Sequence, residues 1–219
     1  MKKIRVWDLP LRLFHWVLVF TVVSAILAEE KGGDAMIWHF RLGYTALTLV
    51  LFRIVWGLVG SRYARFFEFI KAPSAVIAYI KGMRNGTANK SVGHNPVGGF
   101  SVLALLGIVL IQATTGLFSM DEHDHQGPLS QYVGAKWSEI ISDFHADVSG
   151  TLIYILIGLH LVAIAYYYFF KKDNLLTPMV TGDKEIAVDA PETNDSWGMR
   201  LLALAILLGC SGVVYWIVR

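Results

Sequence analysis

The sequence is poor in cysteine and in charge. Only one of its 219 residues is a cysteine, Cys210, so no disulfide can form within the chain. Charged residues make up 16% of the chain and hydrophobic residues 55%, which leaves no stretch for a soluble domain of useful size. The net charge is only +2, and the basic residues are spread along the predicted membrane edges, which argues against a nucleic-acid partner.

Long apolar runs are abundant. A membrane-spanning helix needs about 20 mostly apolar residues, and unbroken runs of this length form helices in lipid. The first run is too long, and lacks the small-residue site, for a cleaved signal peptide. The sequence therefore predicts an all-α integral membrane protein, with four helices in one bundle and a fifth at the C-terminus. The predicted spans are roughly residues 10–28, 37–60, 97–120, 144–170 and 198–218.

The predicted domain organisation has three parts. Residues 1–176 form the four-helix domain, 177–196 a polar cytoplasmic linker and 197–219 the fifth helix. Because the linker contains proline and glycine among polar residues, it is expected to detach the fifth helix from the rest. Before the third helix, Pro96 fits a first helical turn. Residues 66–84 have the pattern of an amphipathic helix at the inner membrane face.

The loop charges predict the orientation. Lysine and arginine dominate the N-terminus and the loop after the second helix, which places both in the cytoplasm. The loops after the first and third helices are acidic and belong outside. The predicted topology therefore has a cytoplasmic N-terminus and a C-terminus on the outer side.

Four histidines lie near the ends of these apolar segments. An ionisable side chain inside a membrane indicates a functional site. His39 and His145 lie near the outer face, and His15 and His160 lie deeper, toward the inner face. On a straight α-helix, the 15 residues between His145 and His160 correspond to about 22 Å of rise and about 60° of rotation. Any one of them alone is more often an interfacial histidine. Together, the two pairs predict axial ligands for two stacked haems, although His15 requires the first helix to start deep or tilt.

Without a Cys-x-x-Cys-His motif, the predicted cofactors are two haems b, bound by side chains and packing alone. Haem propionates are anions, and a guanidinium binds carboxylates in a bidentate manner. Arg12 and Arg53 are the candidates for the inner haem and Arg41 for the outer haem. The alternative for these arginines is snorkelling to lipid headgroups, which is least favoured for the deeper Arg53.

Other polar residues have weaker signals. His94 suggests a loop or a quinone pocket rather than a ligand. His123 and His125 lie in an acidic run that could bind a divalent cation, although a loop that docks a partner is favoured. In the third helix, Gln112 and two threonines, Thr114 and Thr115, are expected to bridge helices.

Several motifs resemble the bacterial cytochrome b561 family. They are LRLFHW at 11–16, IWH at 37–39, and the pair His145-x14-His160 followed by KDNLL at 172–176. VWDLP at 6–10 and GHNP at 93–96 are similar to the branch with the b-type cytochrome subunits of nickel–iron hydrogenases. The resemblance covers about residues 5–180. It implies the same four ligands, two haems b, a quinone and a periplasmic redox partner.

The expected location is the bacterial inner membrane, with the C-terminus in the periplasm. The expected function is electron transfer across this membrane between the quinone pool and a periplasmic partner such as a c-type cytochrome. Alternatives are a superoxide:quinone oxidoreductase, a subunit of a hydrogenase or dehydrogenase complex, and a haem-free scaffold or transporter. The acidic outer loops argue against an anionic substrate. A homodimer through the fifth helix is another open alternative.

Overall fold

The fold is built from long apolar helices and one small two-stranded ribbon. The computed structural model describes residues 2–87, 90–120, 125–187 and 189–219. In chain order the helices are α1 (Leu9–Lys31), α2 (Met36–Val59), α3 (Phe66–Phe69), α4 (Pro73–Arg84), α5 (Pro96–Gly116), α6 (Ala135–Asp143), α7 (Gly150–Phe169), α8 (Leu176–Thr181) and α9 (Trp197–Val218). A π-helical turn, Phe144–Ser149, joins α6 to α7. The strands β1 (Lys2–Arg5) and β2 (Asp183–Ile186) pair in antiparallel orientation.

Five helical segments in the described part of the chain are long and apolar enough to cross a membrane. They are Leu9–Lys31, Gly33–Val59, Pro96–Gly116, Ala135–Phe169 and Trp197–Val218. Each overlaps one predicted span, so the predicted all-α membrane fold with a fifth C-terminal helix is confirmed. The fourth segment begins earlier than predicted because α6 and the π-helical turn precede α7.

Two side chains start helices as N-caps. The Asp8 carboxylate accepts the Leu11 N–H at 2.6 Å, ahead of α1. The Asn95 side chain accepts the Gly98 N–H at 2.8 Å, and Pro96 then opens α5 as predicted. The predicted amphipathic helix at 66–84 is instead two helices, α3 and α4, because residues 70–72 leave the helical conformation.

The chain divides into two compact units, and every boundary between them falls inside a long helix. The first unit comprises Met1–Leu13, Arg53–Ala104 and Leu159–Leu204. The second comprises Phe14–Phe52, Leu105–Gly158 and Ala205–Arg219. This division differs from the predicted one because each unit combines segments from all five long helices.

In the first unit, ion pairs attach the predicted linker to the N-terminus. Arg5 lies 2.5 Å from Asp183 and 2.8 Å from Asp195. Asp195 also pairs with Arg200 at 3.1 Å and accepts the Leu9 N–H at 3.1 Å. The described residues of the segment 177–196 are therefore held against the N-terminal segment by ion pairs and hydrogen bonds. The sequence pattern could not indicate this, because the partners of the polar segment lie almost the whole chain away.

In the second unit, the C-terminal half of α9 packs on α2 and α5. Val214 is buried together with Leu47 and Leu117. Partly buried hydrophobic residues extend this cluster on all three helices and include Tyr44, Leu110 and Ile217. The C-terminal half of the fifth helix is thus part of the helical core of the second unit.

The Asp195 ion pairs predict a pH dependence of stability. Burial alone would raise the pKa of Asp195, but hydrogen bonds from Arg200, Leu9 N–H and Arg5 outweigh it and hold that pKa below its usual range. A lowered carboxyl pKa stabilises the fold above the unfolded value of about 3.9, and this contribution disappears as the pH falls through the folded value. Asp195→Ala should therefore lower the free energy of unfolding by about 2 kcal/mol at pH 7, with a smaller difference at pH 3.

Thermal unfolding in detergent would measure this difference. Asp189→Ala is the matched control, because the Asp189 side chain is 91% exposed and its single ion pair with Lys2 lies on the surface. A loss at pH 7 that is equal for the two variants, or that does not shrink in acid, would contradict the role given to Asp195.

Candidate functional site

The second unit contains a cavity of about 650 Å³ between the helices that hold His39 and His145. This volume lies within the range of about 300–1,000 Å³ that is usual for cofactor and ligand sites. Most of its lining is apolar or small. The lining includes Ala25, Glu29, His39, Gly43, Gln112, Gly116, Asp143, His145 and Gly150.

His39 lies in the first turn of α2 and is half-buried. Its Nδ1 lies 2.9 Å from the carbonyl oxygen of Ala25 on α1. A carbonyl oxygen only accepts, so Nδ1 carries the hydrogen and Nε2 retains its lone pair. A histidine that ligates a metal through one nitrogen usually donates from the other to such an acceptor.

His145 lies in the π-helical turn, opposite His39. The two ring centroids are 6.2 Å apart and the ring planes are inclined by 82°. With each imidazole nitrogen about 2 Å from a shared metal and each ring centre about 1 Å beyond its nitrogen, the centroids would be about 6 Å apart. The spacing of this pair therefore fits two axial ligands of one iron.

Both nitrogens of His145 contact side chains of α5. Its Nδ1 lies 2.9 Å from Thr115 Oγ1, and its Nε2 lies 3.0 Å from Gln112 Nε2. Ser149 donates to the Gln112 side-chain oxygen. Ligation through Nε2 would replace the Gln112 amide at that nitrogen. The helix-bridging prediction is confirmed for Gln112 and Thr115, whereas Thr114 is exposed.

The straight-helix geometry predicted for His145 and His160 is wrong. Residues 144–149 form a π-helical turn, in which the Gly150 N–H bonds to the His145 carbonyl oxygen five residues back. A π turn contains more residues than an α turn, so the 60° rotation derived from α-helical geometry does not apply. Such turns often occur at functional sites, but the sequence alone did not reveal this one.

The structure brings together only one of the two predicted histidine pairs within a unit. His15 belongs to the second unit, is half-buried and makes an edge contact with Trp16 at 5.0 Å between ring centroids. His160 belongs to the first unit and is half-buried on α7. Because these two histidines lie in different units, their pairing stays a prediction.

The three candidate arginines have different surroundings. Arg53 is 2% exposed, and its guanidinium lies 4.7 Å from the centre of the Phe66 ring. Among the described residues, its Nη1 and Nη2 have no hydrogen-bond partner. Arg12 donates to the Val180 carbonyl oxygen at 2.6 Å. Arg41 is exposed and lies over Trp38, 5.0 Å from the ring centre.

These surroundings make Arg53 the best candidate for binding an anion. The buried Asp8 attracts this guanidinium electrostatically, but no hydrogen bond to Nη1 or Nη2 among the described residues compensates its burial, so a carboxylate from a cofactor would be stabilised beside it. Arg12 is partly occupied by the main chain, and Arg41 fits interfacial snorkelling as well as propionate binding. In the second unit the residues present fit a haem, because two imidazoles lie beside a cavity of suitable size. In the first unit Arg53 is a candidate for binding a carboxylate.

Asp8 lies in the same unit as Arg53 and is not among the site residues predicted from the sequence. Its carboxylate is fully buried and accepts hydrogen bonds from Leu11 N–H, from Ser61 and, at 3.2 Å, from Trp56 Nε1. Burial raises the pKa of Asp8, although these bonds oppose the shift. An aspartate directly before a proline-containing first turn was the available signal, since that position is typical of an N-cap.

The remaining described histidines, His94 and His125, are not among the lining residues of the cavity. His94 lies between Trp7 and Phe69, with ring centroids 4.7 and 4.6 Å away. Its predicted loop or quinone-pocket role stays a prediction. His123 lies outside the described residues, so the cation-binding alternative for residues 121–125 rests on sequence alone. In the described part of the chain, no group of three or more metal-binding side chains occurs.

Comparisons with known proteins agree with the geometry. The family model described as prokaryotic cytochrome b561 matches residues 6–182. A probable Ni/Fe-hydrogenase B-type cytochrome subunit from Azotobacter vinelandii is 28% identical over 137 residues, covering 50% of this chain and 56% of that protein. The corresponding protein from Azotobacter chroococcum mcd 1 is 27% identical with the same coverage. The chain spans about half the length of these curated relatives. No solved structure matches.

Proposed function

The chain belongs to the prokaryotic cytochrome b561 family, and we propose that it is a diheme cytochrome that carries electrons between the quinone pool and a periplasmic redox partner. The coarser description follows from the family: a multi-pass membrane b-type cytochrome of electron transfer with haem b. The observation that carries the finer proposal is the His39–His145 pair, 6.2 Å apart beside a 650 Å³ cavity.

In this proposal the protein side chains hold and isolate each haem. Haem b, when bound, supplies one-electron chemistry at its iron. His39 and His145 would hold the outer haem, and their bonds to Ala25 and Thr115 assign the ring hydrogen to Nδ1, so Nε2 would be the nitrogen that binds the cofactor. Gly43 leaves room on the cavity wall, since a side-chain Cβ there would have no neighbour within 4 Å.

For the inner haem, the proposal retains His15 and His160 as ligands and assigns Arg53 to a propionate. Two observations support this assignment: Arg53 is buried, and its Nη1 and Nη2 have no hydrogen-bond partner among the described residues. Arg12 and Arg41 have a weaker claim, because each already contacts other groups of the chain. The loop charges support a cytoplasmic N-terminus and a periplasmic C-terminus, so the inner haem would lie toward the cytoplasm.

The periplasmic partner is proposed from charge. The cavity near the outer loops is lined by two exposed carboxylates, Glu29 and Asp143, and by no lysine or arginine among the described lining residues. A partner with a basic docking patch, such as a c-type cytochrome, would be steered to this side. The same carboxylates would repel superoxide, which disfavours a superoxide:quinone oxidoreductase. Stopped-flow mixing with superoxide would reveal that activity if haem reduction were fast.

The second candidate function is the cytochrome b subunit of a hydrogenase- or dehydrogenase-type complex. It is favoured by the names of the two Azotobacter relatives. In that case the periplasmic partner is a redox enzyme bound permanently. Mild solubilisation and purification of the full chain would separate the two functions: a stoichiometric redox enzyme that co-purifies supports the complex, and a lone cytochrome supports a diffusing partner.

The diheme proposal predicts a haem content of two per chain. The full chain, expressed with ample haem and purified in detergent, should show a b-type band in the reduced-minus-oxidised spectrum and a pyridine haemochrome ratio of two. Two midpoint potentials are expected on redox titration. A colourless chain would exclude the function, and a ratio of one would exclude the second haem.

A further inference from the structure

The hydrogen bonds around His145 can be assigned a direction. Thr115 Oγ1 lies 2.8 Å from the Ile111 carbonyl oxygen and 3.0 Å from the Gln112 carbonyl oxygen on its own helix. Both carbonyl oxygens only accept, so the single hydroxyl hydrogen of Thr115 is directed to the backbone of α5. The Thr115 oxygen therefore accepts the third contact, the 2.9 Å bond from His145 Nδ1.

The contacts on the opposite side of the ring are consistent with this tautomer. Ser149 donates its hydroxyl hydrogen to Gln112 Oε1. Since Gln112 Oε1 accepts, the neighbouring Gln112 Nε2 carries the amide hydrogens and donates to His145 Nε2 at 3.0 Å. The imidazole is thus the neutral tautomer with hydrogen on Nδ1 and a lone pair on Nε2.

The ring is also fixed in position. Ser149 is fully buried, and its hydroxyl lies 3.1 Å from the His145 carbonyl oxygen within the π-helical turn. A Cβ at Gly116 would lie 3.0 Å from His145 Cε1, so the ring packs directly against α5. The position of Thr115 relative to Nδ1 therefore depends on two packed helices and not on a flexible loop.

From this network we propose that Thr115 is the positioning residue that sets the donor strength of His145 toward the outer haem. The inference rests on the proposed function of His145 as an axial ligand. An acceptor at Nδ1–H makes the other imidazole nitrogen a stronger donor. A stronger donor favours ferric over ferrous iron and so lowers the reduction potential. The Nδ1–H of His39 donates to a backbone carbonyl oxygen, that of Ala25. Thr115 is therefore the side chain through which the potential of this haem can be tuned.

The test compares redox titrations of three variants of the full chain. Thr115→Val keeps the shape but removes the acceptor, and it should shift the reduction equilibrium of one haem about tenfold toward the ferrous form, which is about 59 mV upward for a one-electron couple. Thr115→Ser retains the hydroxyl and should stay near the wild-type potential. Thr114→Val is the matched control, because Thr114 is the exposed neighbour on the same helix.

The shifted haem must be the one that disappears in His145→Ala, and the other potential must stay constant. Unchanged potentials in Thr115→Val, or an equal shift in Thr114→Val, would overturn the role of Thr115. If Thr115→Val cannot be isolated, Thr115→Ala and Thr115→Ser provide the same comparison. Failure of the proposed function would appear differently, as a His145→Ala chain with both haems retained.

Discussion

Replacing His145 by alanine is expected to lower the haem content of the purified chain from two per chain to one. His145 is one of two imidazoles beside the 650 Å³ cavity, and the other, His39, cannot hold a six-coordinate iron alone. The substitution also leaves Gln112 and Thr115 without the ring that they contact. Quantitative haem analysis together with the loss of one of the two midpoint potentials measures this effect.

Two controls separate the loss of a ligand from the loss of the fold. His125→Ala makes the same change outside the cavity lining and should leave two haems. His39→Ala should remove the same spectral component as His145→Ala, because both ligands belong to one site, and the double variant should lose no more. A His145→Ala chain with two haems would exclude the ligand assignment. Different components lost from the two single variants would exclude the pairing.

The outer histidine pair was predictable from sequence because depth alone identifies it. His39 lies at the start of one apolar span and His145 at the start of another, and helices that begin at the same membrane face bring such residues to one level. The contacts of His145 were not predictable. They depend on the rotation of α5, which presents Gln112 and Thr115, and on the π-helical turn, which alters the rotation of residues 144–149.

For the candidate arginines, predicted depth in the membrane does not identify the contacts of each side chain. The predicted depth in the membrane assigns the same role to Arg12 and Arg53, which is binding a propionate of the inner haem. In the structure, Arg12 donates to Val180 from the polar segment after α7, while Arg53 is buried under the Phe66 ring. Both contacts join residues that are distant in sequence or separated by an irregular segment. Hydropathy and charge counts contain no information on which loop returns to which helix, so they could not separate the two residues.

Arg53→Met is expected to weaken binding of the inner haem while leaving the haem-free chain at least as stable. The Arg53 guanidinium is 2% exposed and has no hydrogen-bond partner on Nη1 or Nη2 among the described residues. An apolar side chain of similar volume avoids burying a guanidinium without hydrogen bonds on Nη1 and Nη2, which offsets the lost electrostatic attraction to the buried Asp8. Loss of one partner from a buried charge pair costs about 2–5 kcal/mol, so a bound propionate would lose that much affinity.

Arg53→Met is expected to weaken haem binding without destabilising the haem-free chain, and this combination makes the assignment of Arg53 testable. Haem content of Arg53→Met should fall toward one per chain at limiting haem, and the lost component should be the one retained in His145→Ala. Arg53→Lys keeps the charge without bidentate geometry and should lie between wild type and Arg53→Met. Arg62→Met, at an exposed position beyond the same helix, should keep both haems. Two haems with unchanged potentials in Arg53→Met would mean that the guanidinium binds no propionate, and its burial would then need a partner from another source.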